Sequence, residues 1–265
     1  MFPHLTSNGE DLPSGRLRIL VAEDNPINQM VVAGLLRKAG HTVSLASDGV
    51  EAVSLVARHD FDTVIMDVQM PKMDGLQAAA HIRSGEQGTQ RHLPIIAVTA
   101  DATRDARQRC RAAGMDGYLT KPIVAELLFE AIAAALEPPP GMAPPPRLEP
   151  GIPQAAESGR PPQPGADDLK FQQELAGMFL EDCHPSMSRI RAAIDHRDAA
   201  ALKSAAHFLK GSVAVFQDAA AVDAAFRMEC IGRDADWNQA EAAWTSLLAE
   251  TDRLCRSLRS AVAGL

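Results

Sequence analysis

Aromatic side chains make up only 4% of this 265-residue chain: eight Phe, two Trp and a single Tyr. So few rings argue against a stacking platform for single-stranded nucleic acid. Positive charge is also in deficit, with 26 Lys and Arg against 34 Asp and Glu, a net charge of −8, and no compact basic recognition helix. That balance disfavours phosphate neutralisation, so no nucleic-acid partner is expected. Cysteine is sparse: Cys110, Cys183, Cys230 and Cys255 lie far apart in sequence, show no metal-ligand spacing, and read as reduced thiols of a cytoplasmic protein. No apolar run approaches the length of a membrane helix and the amino terminus lacks a signal-peptide pattern, so no membrane segment is expected in this chain. A Walker loop and a glycine-rich kinase lid are also missing, which argues against phosphorylation of the chain from ATP by itself.

Proline is plentiful but crowded into one place. Eleven of the eighteen lie between Pro138 and Pro164, interspersed with Gly141, Gly151, Gly159 and Gly165, with no hydrophobic period. This composition predicts a flexible or extended linker over 138–166. Extended at about 3 Å per residue it reaches roughly 80 Å, and as a tether it gives effective concentrations on the order of millimolar. It separates two stretches each long enough for a core of its own, 16–137 and 167–265, behind a flexible tail at 1–15.

The first stretch alternates short apolar runs with helical periodicity, which predicts a parallel sheet covered on both faces. Ile19–Asp24 ends in two acids, Thr63–Asp67 in one, Pro94–Thr99 in a hydroxyl, and Gly117–Pro122 in Lys121 before Pro122. The carboxyl ends of parallel strands share one edge, where ligands bind. Glu23, Asp24, Asp67, Thr99 and Lys121 are therefore expected to converge. Three carboxylates together repel unless a cation sits among them, and oxygen ligands without imidazole suit Mg²⁺. Phosphoryl transfer needs an in-line nucleophile, a metal and fixed positive charge. Asp67 fits the nucleophile, Lys121 the fixed charge, and Thr99 a hydroxyl for a phosphoryl oxygen. Asn25-Pro26, Asp48 and Asp74-Gly75 read as helix starts, and Ile27, Met30, Val31, Gly34 and Leu35 as the core-facing stripe of the first helix.

The second stretch reads as an antiparallel bundle with helices at about 169–182, 185–195, 198–216, 218–232 and 237–263, Pro185 starting or kinking the second. Within 198–216, Leu202, Ala205, Ala206, Leu209, Val213 and Phe216 form one apolar stripe. Lys203, His207, Lys210 and Gly211 fall on the other side, which leaves the imidazole flanked by two ammonium groups above a patch of bare backbone. A glycine inside a helix costs about 1 kcal/mol relative to alanine, which makes sense where something large must approach. A histidine that carries a phosphoryl group and presents it to a partner suits these neighbours. His184 and His196 lack them and read as surface residues.

Val21-Ala22-Glu23-Asp24-Asn25, Met66-Asp67 through Asp74-Gly75, Val98-Thr99-Ala100 and Lys121-Pro122 together resemble the receiver domain of two-component response regulators. Phe179-Leu180-Glu181-Asp182 and Ala206 through Ser212 resemble a histidine-phosphotransfer (HPt) domain. The order looks like the carboxyl-terminal part of a hybrid sensor histidine kinase, or a free-standing relay protein of the same parts. The resemblance implies a flavodoxin-like (βα)5 doubly wound sheet followed by an all-α bundle. It implies Mg²⁺ held by Glu23, Asp24, Asp67 and the Gln69 carbonyl, a cis Lys121–Pro122 bond, and Tyr118 as an aromatic that moves with Thr99. It also implies that Asp101 and Gln69 occupy positions that tune phosphoryl lifetime, and it implies a glycine about ten residues after the histidine, where this chain has Gln217. The expected function is a phosphorelay intermediate: a sensor-kinase histidine loads Asp67, His207 takes the group, and a separate response regulator receives it. The same motifs would serve a reverse-flow phosphate sink, and a non-catalytic docking module is the remaining alternative.

Overall fold

The computed structural model describes residues 15–263 apart from 90, 102 and 138–165. The expected tail at 1–15 and the linker at 138–166 fall outside that range, save Gly15 and Ala166. Five strands, β1 (Arg18–Ala22), β2 (Thr42–Ala46), β3 (Thr63–Asp67), β4 (Ile95–Thr99) and β5 (Gly117–Thr120), form one sheet in the order β2-β1-β3-β4-β5, with every pairing parallel. Helices α1 (Pro26–Lys38), α2 (Gly49–Arg58), α3 (Gly75–Glu86), α4 (Arg104–Ala112) and α5 (Ala125–Leu136) connect the strands and close both faces. Every residue of β3 and β4 is buried, as a strand packed on both sides requires. The strand order is that of the flavodoxin-like doubly wound fold.

Local chemistry sets the helix starts. Asn25 Oδ1 accepts from the Ile27 and Asn28 amides, and Pro26 follows at the first helical position. Asp48 caps α2, and Asp74 forms a reciprocal capping box with Gln77 on α3. The Lys121–Pro122 bond is cis.

The second unit is a bundle of α6 (Ala166–Asp195), α7 (Ala199–Ala214), α8 (Ala219–Asp234) and α9 (Ala240–Ala263), with a short 3₁₀ turn at Trp237–Gln239 before α9. Two expected helices, 169–182 and 185–195, are one. Pro185 sits inside α6 on its exposed side, while Phe179, Cys183, Met187 and Ile190 carry the buried stripe straight past it. The ring removes one backbone donor, but core packing on the opposite face holds the helix together across the gap. Gln217 takes φ +53° just beyond α7, a left-handed turn that glycine adopts without strain.

The stripe expected on α1 divides between two targets. Leu35 packs on the sheet together with Val32 and Leu36, which lay outside the expected stripe, whereas Ile27 is buried in the bundle's core cluster, Met30 packs against that cluster, and Val31 packs against both. Gly34 faces Phe171 of α6 so closely that a Cβ there would come within 2.7 Å of the ring. The helix is apolar on two sides because two domains cover it.

Candidate functional site

The carboxyl edge of the sheet gathers the residues that the strand ends place there. Glu23, Asp24 and Asp67 offer oxygens that all lie within 4.8 Å of one another. Glu23 and Asp67 are buried and Asp24 half-buried. Lys121 Nζ, at the end of β5, donates to Asp67 Oδ2 at 2.6 Å and reaches Glu23 Oε2 at 2.7 Å. Glu23 Oε1 accepts from Asn28 Nδ2 at 2.9 Å. The Gln69 amide donates to Asp67 Oδ1 at 3.0 Å, so the loop after β3 folds back over the carboxylate. Thr99 is buried, and its Oγ1 accepts from the Asp101 amide at 3.1 Å. The Tyr118 hydroxyl donates to the Asp101 carbonyl, and the Arg107 guanidinium stacks 4.9 Å from its ring centroid. Tyr118 is thus turned toward α4, away from the acids.

One lysine does not neutralise three acids. Burial, and then the charge of Glu23, push the Asp67 carboxyl up to about 7. The same two causes raise Asp24 to about 6, against the pull of Lys121 and His207. Burial alone would lower Lys121, but the charges of Glu23 and Asp67 outweigh it and raise the ammonium above its usual range. A cluster of hard oxygens that holds protons this tightly has room for a divalent cation in their place.

His207 lies on α7, facing that edge. Its Nδ1 is 2.9 Å from Glu229 Oε1 on α8, and Lys210 Nζ is 2.5 Å from Glu229 Oε2. Burial would raise Glu229, yet the hydrogen bonds from His207 and Lys210 prevail and hold it at about 2. An ionised carboxylate only accepts, so Nδ1 carries a proton toward Glu229, and Nε2 is the ring nitrogen left to meet a phosphoryl group. The side chain is 14% exposed, less than an isolated helix face would leave it, because α8 flanks it and the receiver-like unit stands over it. Lys203 is half-buried, its backbone pressed against Gly232 of α8, where a Cβ would come within 2.4 Å.

The two units meet beside this histidine. Asn25 Nδ2 donates to the Phe208 carbonyl at 3.0 Å and to Ser212 Oγ at 2.7 Å. A Cβ on Gly211 would stand 3.0 Å from Asn28 Nδ2. The bare backbone below His207 is therefore where the β1–α1 loop sits down. Phe171 and Leu175 of α6 and Pro122 border an apolar cavity of about 190 Å³ left between the units.

Sequence motifs pointed to Glu23, Asp24, Asp67, Thr99, Lys121, His207, Lys210 and Gly211, and all of these sit at or beside this junction. Glu229 and Asn28 were missed, and Ser212 was read only as the last residue of the motif Ala206–Ser212, without a role of its own. Glu229 is 22 residues from His207 on another helix, and its one signal was a carboxylate inside the run Met228–Ile231. Asn28 and Ser212 are polar residues at buried helical positions, legible only as breaks in apolar periodicity.

Comparison with known proteins agrees with this geometry. Residues 19–133 match the response regulator receiver domain, and residues 174–261 match the Hpt domain. Histidine kinase 3 of Arabidopsis thaliana is 38% identical over 135 residues, which cover 44% of this chain and 13% of that protein. Hybrid signal transduction histidine kinase I of Dictyostelium discoideum is 40% identical over 120 residues, covering 43% of this chain and 7% of that protein. The chain thus spans only a small part of the length of these relatives. Among solved structures, the co-crystal of the Saccharomyces cerevisiae histidine phosphotransfer protein Ypd1 with the Ssk1 receiver domain matches at 30% identity and TM-score 0.44, over 47% of this chain and 90% of that one. The magnesium-bound receiver domain of a Pseudomonas aeruginosa sensor histidine kinase matches at 38% identity and TM-score 0.42, over 46% of this chain and 98% of that one. The chain thus carries a response regulator receiver domain followed by an Hpt domain.

Proposed function

We propose that Asp67 accepts a phosphoryl group from the histidine of an upstream sensor kinase, that His207 takes it from Asp67 within the same chain, and that a separate receiver domain removes it. The observation that carries this reading is the Asn25 bridge to Phe208 and Ser212, which seats the acidic sheet edge against the helix that bears His207. The transfer is an in-line displacement: a bond forms from His207 Nε2 to phosphorus, the bond from phosphorus to the Asp67 oxygen breaks, and the carboxylate departs. Glu229 holds the Nδ1 proton and balances the charge that grows on the imidazole. Lys121 stands where it can steady a phosphoryl oxygen, and Thr99 offers a hydroxyl to another.

Glu23, Asp24 and Asp67, with the Gln69 carbonyl, would hold Mg²⁺. When bound, the ion neutralises charge on the phosphoryl oxygens. The domains are read as 16–137 and 167–265 joined by a tether over 138–166, and the chain as a cytoplasmic one.

Incubation with acetyl phosphate and Mg²⁺ followed by mass measurement tests the first station. One added phosphoryl group is expected, lost in Asp67→Asn. His207→Gln should keep Asp67 labelling and stop transfer onward. An unreactive wild-type chain would favour a docking module instead. Labelled ATP alone should leave the purified chain unlabelled.

A further inference from the structure

The four cysteines looked unrelated along the chain, yet the bundle brings two of them into contact. Cys183 of α6 and Cys255 of α9, 72 residues apart, have sulfurs separated by 3.4 Å. Both are buried, at 8% and 5% exposure, but each adjoins the bundle surface: His184 and Pro185 beside one, Arg256 and Arg259 near the other, are exposed. Cys110 belongs to the other domain, on α4, and Cys230 lies half-buried on α8.

We infer that Cys183 and Cys255 are a dithiol site that a peroxide oxidises to a disulfide, fastening α6 to α9. A disulfide bond of about 2.05 Å leaves the sulfurs little more than an ångström to close. The reacting sulfur is Cys255. Its thiolate is favoured by the hydrogen bond from Cys183 and, against the cost of burial, by the Arg259 charge, which together bring it down to about 7. Cys183 keeps its proton, held there first by its bond to Cys255 and then by burial.

The steps balance with hydrogen peroxide as oxidant. The Cys255 thiolate attacks one peroxide oxygen, the O–O bond breaks, and hydroxide leaves to take a proton as water. The sulfenic acid on Cys255 is then attacked by the Cys183 sulfur. The S–S bond forms, the S–O bond breaks, and the Cys183 proton departs with the hydroxide as a second water. Each sulfur gives up one electron and peroxide takes two. A thiol reductant such as dithiothreitol reverses the bond by exchange.

Helix α6 is also the helix whose Phe171 faces Gly34 of the receiver domain, so the bond would tie a helix that meets that domain to α9. Treating the reduced full-length chain with hydrogen peroxide, alkylating free thiols and mapping peptides by mass spectrometry tests the site. The expected product is one Cys183–Cys255 linked peptide, lighter by two hydrogens, with Cys110 and Cys230 still alkylated. The melting temperature of the bundle should shift upward and return with dithiothreitol. Cys183→Ser should abolish the linked peptide and let sulfenic acid accumulate on Cys255. Cys255→Ala, with helical content checked by circular dichroism, should leave Cys183 alkylatable. A wild-type chain in which a different cysteine pair links, or in which Cys255 runs on to the sulfinic acid while Cys183 stays free, would overturn the inference.

Discussion

At the scale of single residues, Gly211 separates docking from folding. It lies inside α7, where alanine is favoured by about 1 kcal/mol, yet a Cβ would press on Asn28 from the receiver domain. Gly211→Ala should therefore raise the stability of the bundle by roughly 0.5–1 kcal/mol in denaturant titration while slowing transfer from Asp67 to His207. Equal effects on both, or faster transfer, would contradict the contact. The acids make a second prediction. Asp67 and Asp24 are raised to about 7 and about 6, so the folded, metal-free chain holds protons that the unfolded chain releases near its ordinary carboxylate value. Their contribution is most favourable at low pH and declines as pH rises through about 4 to about 7. Mg²⁺ must displace those protons, so its affinity should rise with pH, most steeply below about pH 6, and level off above about pH 7. Calorimetry in buffers of different ionisation enthalpy reads both the affinity and the proton release, and a flat affinity would remove the metal from this cluster.

At the scale of elements, strand ends were the legible part. A buried parallel strand is a short apolar run, and a polar residue at its carboxyl end can only face the shared edge, so Asp67, Thr99 and Lys121 could be placed together from spacing alone. Helix faces were harder. Periodicity shows that α1 is apolar but not which partner covers each side: Ile27 and Met30 turned to the bundle, and Val31 packs against both the bundle and the sheet. Pro185 read as a boundary because its local cost was visible and the packing of Phe179, Met187 and Ile190 that offsets it was not. Glu229 was illegible for the same reason: its meaning comes from a neighbouring helix. Two variants follow. Met30→Glu should leave the receiver domain folded, since Met30 packs only against the bundle while Val32 and Leu36 pack on the sheet, but should reduce intramolecular transfer at least several-fold by placing a charge against the bundle. Circular dichroism with timed transfer separates the two. Gln217→Gly should stabilise the bundle by about 1 kcal/mol, because glycine occupies the left-handed turn after α7 without strain. A loss of stability would mean that the Gln217 side chain contributes more than its backbone costs.

At the scale of the whole molecule, the receiver domain covers the face of α7 beside His207, the face that a second receiver would use under the proposed relay. The covering contact is specific: Asn25 caps α1 with its oxygen and holds α7 with its nitrogen. Serine also caps helices well but is too short to keep both roles. Asn25→Ser should thus preserve receiver stability, weaken transfer from Asp67, and speed phosphoryl uptake by His207 from a separate phosphorylated receiver. Slower uptake from that outside donor would show that the tethered domain does not stand in the way.

Because α1 is greasy on both flanks, letting go of the bundle leaves Ile27, Met30 and Val31 wetted, and the bundle loses its own cover in turn. Bare, parted domains are the costly arrangement. An incoming receiver that brings a similar helix relieves the bundle's share of that cost at the moment of exchange, so traffic through His207 should run as a relay baton passed hand to hand, seldom held out in the open.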